Sequence, residues 1–476
     1  MQTSYLRRRN SIPHSTSPLL SCPASQKPHS RTTEQATRIQ CSQISRRRSR
    51  DLGNVPSMPS RDRHTVVVGG GVIGVCCAYF LAKRGARVTV LERDQIGRAA
   101  SYGNAGSIAP GHPPINKPGR VRQALKSLFD PLSPLYVAPR FDPELAKWLW
   151  SFSRTCTGKH VEYSMKALAP LGHASRALFD ELIQTENLRC YFCRGGYYEI
   201  YLAERGIESA KEESRMLSRY GFHPEVVSGA ELRKREPAIN DCVVGGIFYP
   251  EAATINPYQF VLEMKERAER HGAEFRTASE VLSLRTSNDR IRAVQLQNGE
   301  SIEAASVVLT AGAYSVPLLR RVGIRFPLQA AKGYHRDCES KPGGGPLLSH
   351  ACVLGENLVF CTPMDGFVRF AGTLELSGLN HDIRRPRLEQ LTRAAGRYFR
   401  TMGDAAVKSE WCGLRPCLPD GLPAVGAVSR YPGLFVATGH AMMGLTLGPV
   451  TGKLISECVL DASPSMDITA LRPDRF

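Results

Sequence analysis

The feature that most restricts the fold of this chain is the glycine turn Gly69-Gly-Gly-Val-Ile-Gly74, set directly behind His64-Thr-Val-Val-Val68. A short apolar run ending in glycines reads as a strand buried on both faces, the mark of a parallel sheet. Residues 72–83 then read as an apolar helix, and residues 87–92 as a second strand. Together they make a complete βαβ unit. Gly69 permits the tight turn, Gly71 lets the backbone approach a pyrophosphate, and Gly74 lets helix pack on strand, while the helix start offers amide donors and a positive dipole end. Glu92 ends the second strand about twenty residues after the glycines, where a carboxylate accepts hydrogen bonds from a ribose diol. Gly69, Gly71, Val72, Ile73, Gly74 and Glu92 are therefore expected to hold a dinucleotide, one without a 2′-phosphate.

Composition removes several alternatives. No charged residue occurs from Thr65 to Ala82, so a hydropathy window would mark a membrane span. Glycines are costly in the middle of a spanning helix, whereas strand, turn and helix account for each of them. The chain is read as cytoplasmic, at most peripheral at a membrane face. Half of the formal net charge of +18 sits in residues 1–63, where twelve Lys and Arg face three acids. The remainder has no basic run interleaved with aromatics, so no nucleic-acid partner is expected. Residues 1–63, rich in Ser, Arg and Pro, show no periodicity and cannot bury enough surface to order themselves. They are expected to be a disordered or artefactual extension, with a transit peptide and a basic tail as the other readings. The 14 cysteines are scattered and read as reduced thiols. Cys190-Tyr-Phe-Cys193 has no second pair and no His cluster beside it, so no metal site is expected.

The fingerprint alone does not separate FAD from NAD. Two further stretches bear on the choice. Gly97-Arg-Ala-Ala-Ser101-Tyr-Gly-Asn104-Ala105-Gly106-Ser-Ile-Ala-Pro110 is a small-residue segment suited to a backbone lying against a flat ligand. Gly433-Leu-Phe-Val-Ala-Thr-Gly439-His440-Ala-Met-Met-Gly444-Leu445-Thr446-Leu-Gly448-Pro449 reads as strand, glycine turn and new helix. Such a turn aims a helix N-terminus at a ligand already held by the first unit and favours negative charge on it. With Lys332-Gly-Tyr334, Trp411-Cys-Gly-Leu-Arg-Pro416 and Pro419-Asp-Gly-Leu-Pro423, these motifs resemble the FAD-dependent D-amino acid oxidase superfamily, and within it the bacterial D-amino acid dehydrogenases. The likeness runs from about residue 64 to about residue 460. Ala441 stands where these enzymes often carry glycine, and Leu445 where an aromatic is common.

The resemblance implies an α/β fold in which a Rossmann-like FAD-binding domain is interleaved with an α+β substrate domain. The expected cofactor pieces are residues 64–115, 251–319 and 411–476; the expected substrate pieces are 116–250 and 320–410. Residues 142–187 read as helical, with Trp148 and Trp150 as packing, and residues 326–374 as a mixed or antiparallel sheet roofing the flavin. Arg93, Ser101, Asn104, Ala105 and Gly106 join the cofactor set, as do Gly439, Gly444, Leu445 and Thr446. By the same resemblance Val281 meets the adenine side and Gly312 lies in a second glycine turn.

Oxidising an α-amino acid requires an anchor for its carboxylate. Arg415 is the candidate, since a guanidinium matches a carboxylate with two parallel hydrogen bonds and Leu414 and Pro416 make an apolar setting. The competing reading pairs it with a structural acid such as Glu410 or Asp420. Tyr334 is expected either to lend a phenol to the same carboxylate or to sit in the core. His440 is expected either to orient substrate or flavin or to make a structural hydrogen bond. The reaction implied is oxidation of a D-amino acid to a 2-oxo acid and ammonia, with electrons passed to a quinone or carrier protein. A D-hydroxyproline dehydrogenase, a glycine or sarcosine oxidase, and a non-catalytic dinucleotide-binding subunit are the alternatives.

Overall fold

The computed structural model describes residues 64–122, 130, 132–341, 347–460 and 463–476. The expectation for residues 1–63 lies outside them. Two sheets organise the described chain. The smaller has six strands in the order Ala424–Ala427, Leu434–Thr438, Ser306–Leu309, His64–Val68, Arg87–Leu91 and Glu274–Arg276. All neighbours pair in parallel except the edge strand Ala424–Ala427. Val66 and Val67 are fully buried, as a strand covered on both faces must be. This is the α/β cofactor-type sheet, assembled from segments far apart in the sequence.

Two helices lie on this sheet side by side. Val72–Lys83 follows the first glycine turn, and Gly448–Val459 follows the C-terminal one. A Cβ on Gly452 would fall 2.6 Å from the backbone carbon of Cys76, so the helices touch backbone to backbone there. One turn earlier, a Cβ on Gly448 would lie 3.1 Å from Val72. Residues 448 and 452 thus meet residues 72 and 76 in the same order. The helices run parallel, and their N-termini open at the same end of the sheet.

The larger sheet has nine strands, eight of them in the order Ala405–Cys417, Gln329–Ser340, Phe367–Leu376, Val359–Met364, Cys352–Leu354, Tyr197–Tyr201, Gly245–Tyr249 and Glu225–Ser228. Leu135–Val137 adds alongside Phe367–Leu376 in parallel. The mixed sheet expected over residues 326–374 is present and extends well beyond that window. Its outer strand Ala405–Cys417 crosses residue 411, where a cofactor piece was expected to begin. Helices Pro143–Thr155 and Gly158–Thr185 fill the window expected to be helical. Trp148 packs there, buried and stacked on Phe152 at 5.1 Å. Trp150 does not: it is 62% exposed, with Arg154 over its ring, because its helix turns that side to solvent. Among the described residues, no helix is long and apolar enough to cross a membrane.

Candidate active site

A cavity of about 700 Å³ opens where the C-terminal ends of the parallel strands meet the face of the larger sheet. That is the crevice in which open α/β sheets bind ligands. Gly69, Gly71, Val72 and Ile73 line its first wall, followed by Glu92 and Arg93. Gly69 has φ +109°, and a Cβ there would meet the Thr310 carbonyl oxygen at 2.8 Å, so only glycine fits. The Val72 amide donates to Ser101 Oγ at 2.9 Å, and the Gly70 amide to Glu92 Oε2 at 2.8 Å. Arg93 lies 3.8 Å over the ring of Tyr314, and Val281 and Gly312 complete this arm. Asn104, Ala105, Gly444, Leu445 and Thr446 also line the cavity.

Three of the expected cofactor residues stand behind that lining. A Cβ on Gly74 would sit 1.9 Å from the Gly69 carbonyl oxygen, which makes it the helix-packing glycine. Gly106 and Gly439 have φ +67° and +79° and press against Ile255 and Leu418. They bend the backbone that others use to reach the cavity.

The second wall carries Arg415, Tyr334 and His440. Arg415 lies on Ala405–Cys417 opposite Ala331. Its guanidinium occupies the space where Gly333 has no side chain; a Cβ there would fall 2.2 Å from Nη1. Nη1 donates to the Thr373 carbonyl at 2.7 Å. No carboxylate among the described residues lies within 4 Å of it. Both acids named as alternative partners are taken, Glu410 by Arg336 at 2.7 Å and Asp420 by Arg475 at 2.7 Å. Burial pulls the pKa of Arg415 below its ordinary value. A cavity-lining cation without an acid is a site that wants an anion.

Tyr334 also lines the cavity, but its phenol donates to Glu375 Oε2 at 3.0 Å. Burial and then the Glu375 charge hold that phenol above its ordinary pKa. His440 also lines the cavity, and its Nε2 shares a 3.0 Å hydrogen bond with Thr451 Oγ1. Burial lowers its pKa to about 3, so the ring is neutral at physiological pH. Its backbone bridges to Cys417, linking the C-terminal turn to the strand of Arg415.

A family model described as FAD dependent oxidoreductase matches residues 64–458, most of the chain and both walls of this cavity. The chain belongs to the FAD dependent oxidoreductase family. A second model, pyridine nucleotide-disulphide oxidoreductase, matches residues 15–103. The D-amino acid dehydrogenase of Methylobacterium radiotolerans is 32% identical over 425 residues, covering 87% of this chain and 99% of its own. That of Xanthobacter autotrophicus is 30% identical over 418 residues, covering 86% and 98%. Glycine oxidase from Geobacillus kaustophilus superposes with a TM-score of 0.71 at 21% identity, covering 87% of this chain and 99% of its own, a likeness of fold.

As an FAD dependent oxidoreductase, the protein takes FAD as cofactor. The cavity fits it: a glycine turn no side chain could occupy, two parallel helix starts at one end, an acid at the end of the second strand, and room on the order of a drug-sized ligand's pocket. The motifs did not reveal how the small-residue loop 97–110 is held. Arg369 donates from Nη1 to the carbonyls of Tyr102 and Asn104 at 3.2 and 3.1 Å. It is itself held by Asp337 at 2.8 and 2.9 Å, with Ser409 completing that carboxylate at 2.9 Å. His335 Nδ1 bonds the Gly103 carbonyl at 2.8 Å and its ring stacks on Trp411. Thr373 was missed as well. It has φ +65°, an unusual conformation for a β-branched residue, and sits where one residue of Gln329–Ser340, Gly333, faces two of Phe367–Leu376, Thr373 and Leu374. This bulge is what presents the Thr373 carbonyl to Arg415.

Proposed function

We propose that this enzyme oxidises a D-amino acid at its α-carbon, giving a 2-oxo acid and ammonia, and passes the electrons to a quinone or a carrier protein. The observation that carries the reading is Arg415, a cavity-lining guanidinium whose hydrogen bond goes to a backbone carbonyl and not to an acid. The relatives at 30–32% identity, matched over nearly their whole length, are named D-amino acid dehydrogenases, which supports the same reading.

In this mechanism Gly69, Gly71, Val72, Ile73, Glu92 and Arg93 would hold the dinucleotide arm of FAD, with Val281 and Gly312 lining the same arm of the cavity. Ser101, Asn104, Ala105, Gly444, Leu445 and Thr446 would flank the flavin end, while Gly74, Gly106 and Gly439 shape the backbone behind. FAD, when bound, supplies the acceptor for the α-hydride. Arg415 binds the substrate carboxylate in two parallel hydrogen bonds. Tyr334, its phenol committed to Glu375, serves as wall and not as a carboxylate donor. His440 stays neutral and keeps the C-terminal turn in place. The amine arrives neutral and needs no general base. The resulting imine hydrolyses with water to the 2-oxo acid and ammonia.

An anaerobic absorbance spectrum of the purified holoenzyme, before and after D- and L-amino acids, glycine, sarcosine and hydroxyproline, tests the proposal. Selective bleaching of the flavin band by D-amino acids is the expected result. Bleaching by glycine, sarcosine or hydroxyproline alone would reassign the substrate, and no bleaching at all would overturn the proposal.

A further inference from the structure

The cavity wall next to Arg415 is apolar. Arg415 and Cys417 alternate onto one face of their strand, about 7 Å apart, with Ala331 opposite Arg415. Trp148 Nε1 donates to the Cys417 carbonyl at 3.1 Å, which seats helix Pro143–Thr155 against this strand. Leu374 follows Thr373, whose carbonyl holds the guanidinium. The Ala441 amide donates to the Pro416 carbonyl at 2.9 Å, so the C-terminal turn is tied to the residue beside Arg415. Trp148, Leu376 and Cys417 are buried in one cluster on the cavity wall. Leu149, Phe152, Leu374 and Ala441 pack against that cluster, stay only partly buried and line the cavity as well, so the wall keeps apolar surface for a ligand to cover.

Ala441 holds its place in that wall at the expense of backbone strain. Its φ is +48°, in the left-handed region that residues with a side chain rarely adopt. Among the described residues other than glycine, asparagine and aspartate, Tyr191, Ala278, Leu358, Thr373 and Ala441 have positive φ, and the last three line the cavity. Such outliers gather at sites where the strain serves a function. Glycine would take this conformation freely, as Gly439 does two residues earlier at φ +79°. What alanine adds is one methyl group, packed on the cluster beside Arg415. The same turn runs on to Gly444, Leu445 and Thr446, the residues assigned to the flavin end. The methyl therefore lies between the carboxylate anchor and that end, where the α-carbon and side chain of a substrate belong.

We infer that Ala441 is a specificity-determining residue, its methyl group forming the first contact of an apolar side-chain subsite, and that the preferred substrates are D-amino acids with a hydrocarbon or thioether side chain. The inference rests on the function proposed above, because it needs the substrate carboxylate on Arg415. With that carboxylate paired, the neighbouring side chain meets Ala441 and Leu374, and beyond them Leu149 and Phe152 of the helix. An apolar side chain is drawn out of water by this surface. An amide of the same shape gives up its hydrogen bonds to water there and faces hydrocarbon in return.

The test compares substrates of one shape and different polarity on the holoenzyme: D-leucine against D-asparagine, and D-methionine against D-glutamine. The expected result is a kcat/KM higher for each apolar substrate than for its amide partner by roughly tenfold or more. In Ala441→Gly the ratio of D-leucine to D-asparagine is expected to fall by about threefold, the worth of one methyl contact, while the melting temperature rises because the strain is gone. Stability gained together with selectivity lost is a pairing that a merely structural methyl would not give. Equal or better use of the amides would overturn the inference. So would an Ala441→Gly enzyme whose ratio is unchanged, which places the methyl away from the side chain, or one with a lowered melting temperature, which makes it core packing. The wild-type comparison stands whatever the variant does. If no D-amino acid bleaches the flavin, the proposed function fails first; if D-amino acids bleach it without an apolar preference, the subsite alone fails.

Discussion

A buried guanidinium keeps its charge only if something answers it, and for Arg415 the answer within the protein is one backbone carbonyl. Truncating one partner of a desolvated, hydrogen-bonded charge pair costs about 2–5 kcal/mol, or roughly thirtyfold to several thousandfold in binding. Arg415→Ala is therefore expected to raise KM by about a hundredfold or more while the bound flavin per protein, read from the visible spectrum, stays as in the wild type. Arg415→Lys should recover only part of that loss, because a point charge cannot form the planar pair. Parallel loss of flavin and activity would instead make Arg415 structural. The residue was legible in the sequence because a lone arginine between Leu414 and Pro416 is chemically conspicuous. Its supports were not. The space left by Gly333 and the left-handed Thr373 come from a bulge between two strands, and a bulge is a property of their pairing rather than of either sequence.

At the level of elements, the glycine turns could be read locally because strand, turn and helix follow one another in the chain. The larger sheet could not. Tyr197–Tyr201 lies parallel to Cys352–Leu354, and Gln329–Ser340 is flanked by strands from later in the sequence, pairings that no local periodicity encodes. The same distance hid the tie between that sheet and the loop expected to flank the flavin. Arg369 and Asp337 are nearly fully buried, and removing one partner of such a pair costs about 3–5 kcal/mol. Arg369→Met should lower the melting temperature and also speed flavin release, since the Tyr102 and Asn104 carbonyls lose their donor. Adding Asp337→Asn removes the stranded charge. The double variant should regain much of its stability while flavin release, followed by fluorescence on dilution, stays fast. Recovery of both would show that the pair stabilises the sheet without holding the loop.

For the whole molecule, three histidines in separate places share one condition. His112 lines the cavity, His335 lies under the small-residue loop, and His440 sits between the C-terminal turn and its helix. Burial lowers their pKa values to about 4, 4 and 3. Unfolded, each would titrate near about 6.5. Between that value and about 4 the unfolded chain binds protons that the folded protein refuses, so stability is intact above about pH 6.5 and falls as the pH drops through this window. His64 and His381, also lowered by burial, add in the same direction. The carboxylates that ion pairs hold low, such as Asp180, affect stability only at lower pH. Urea unfolding midpoints measured from pH 8 to pH 4.5 should be flat at first and then decline, with a slope equivalent to more than one proton between pH 6 and pH 5. In His335→Asn, which keeps a polar group near the Gly103 carbonyl but cannot be protonated, that slope should shrink by about one proton. An unchanged slope would mean that the fold opens around His335 before the ring takes up its proton.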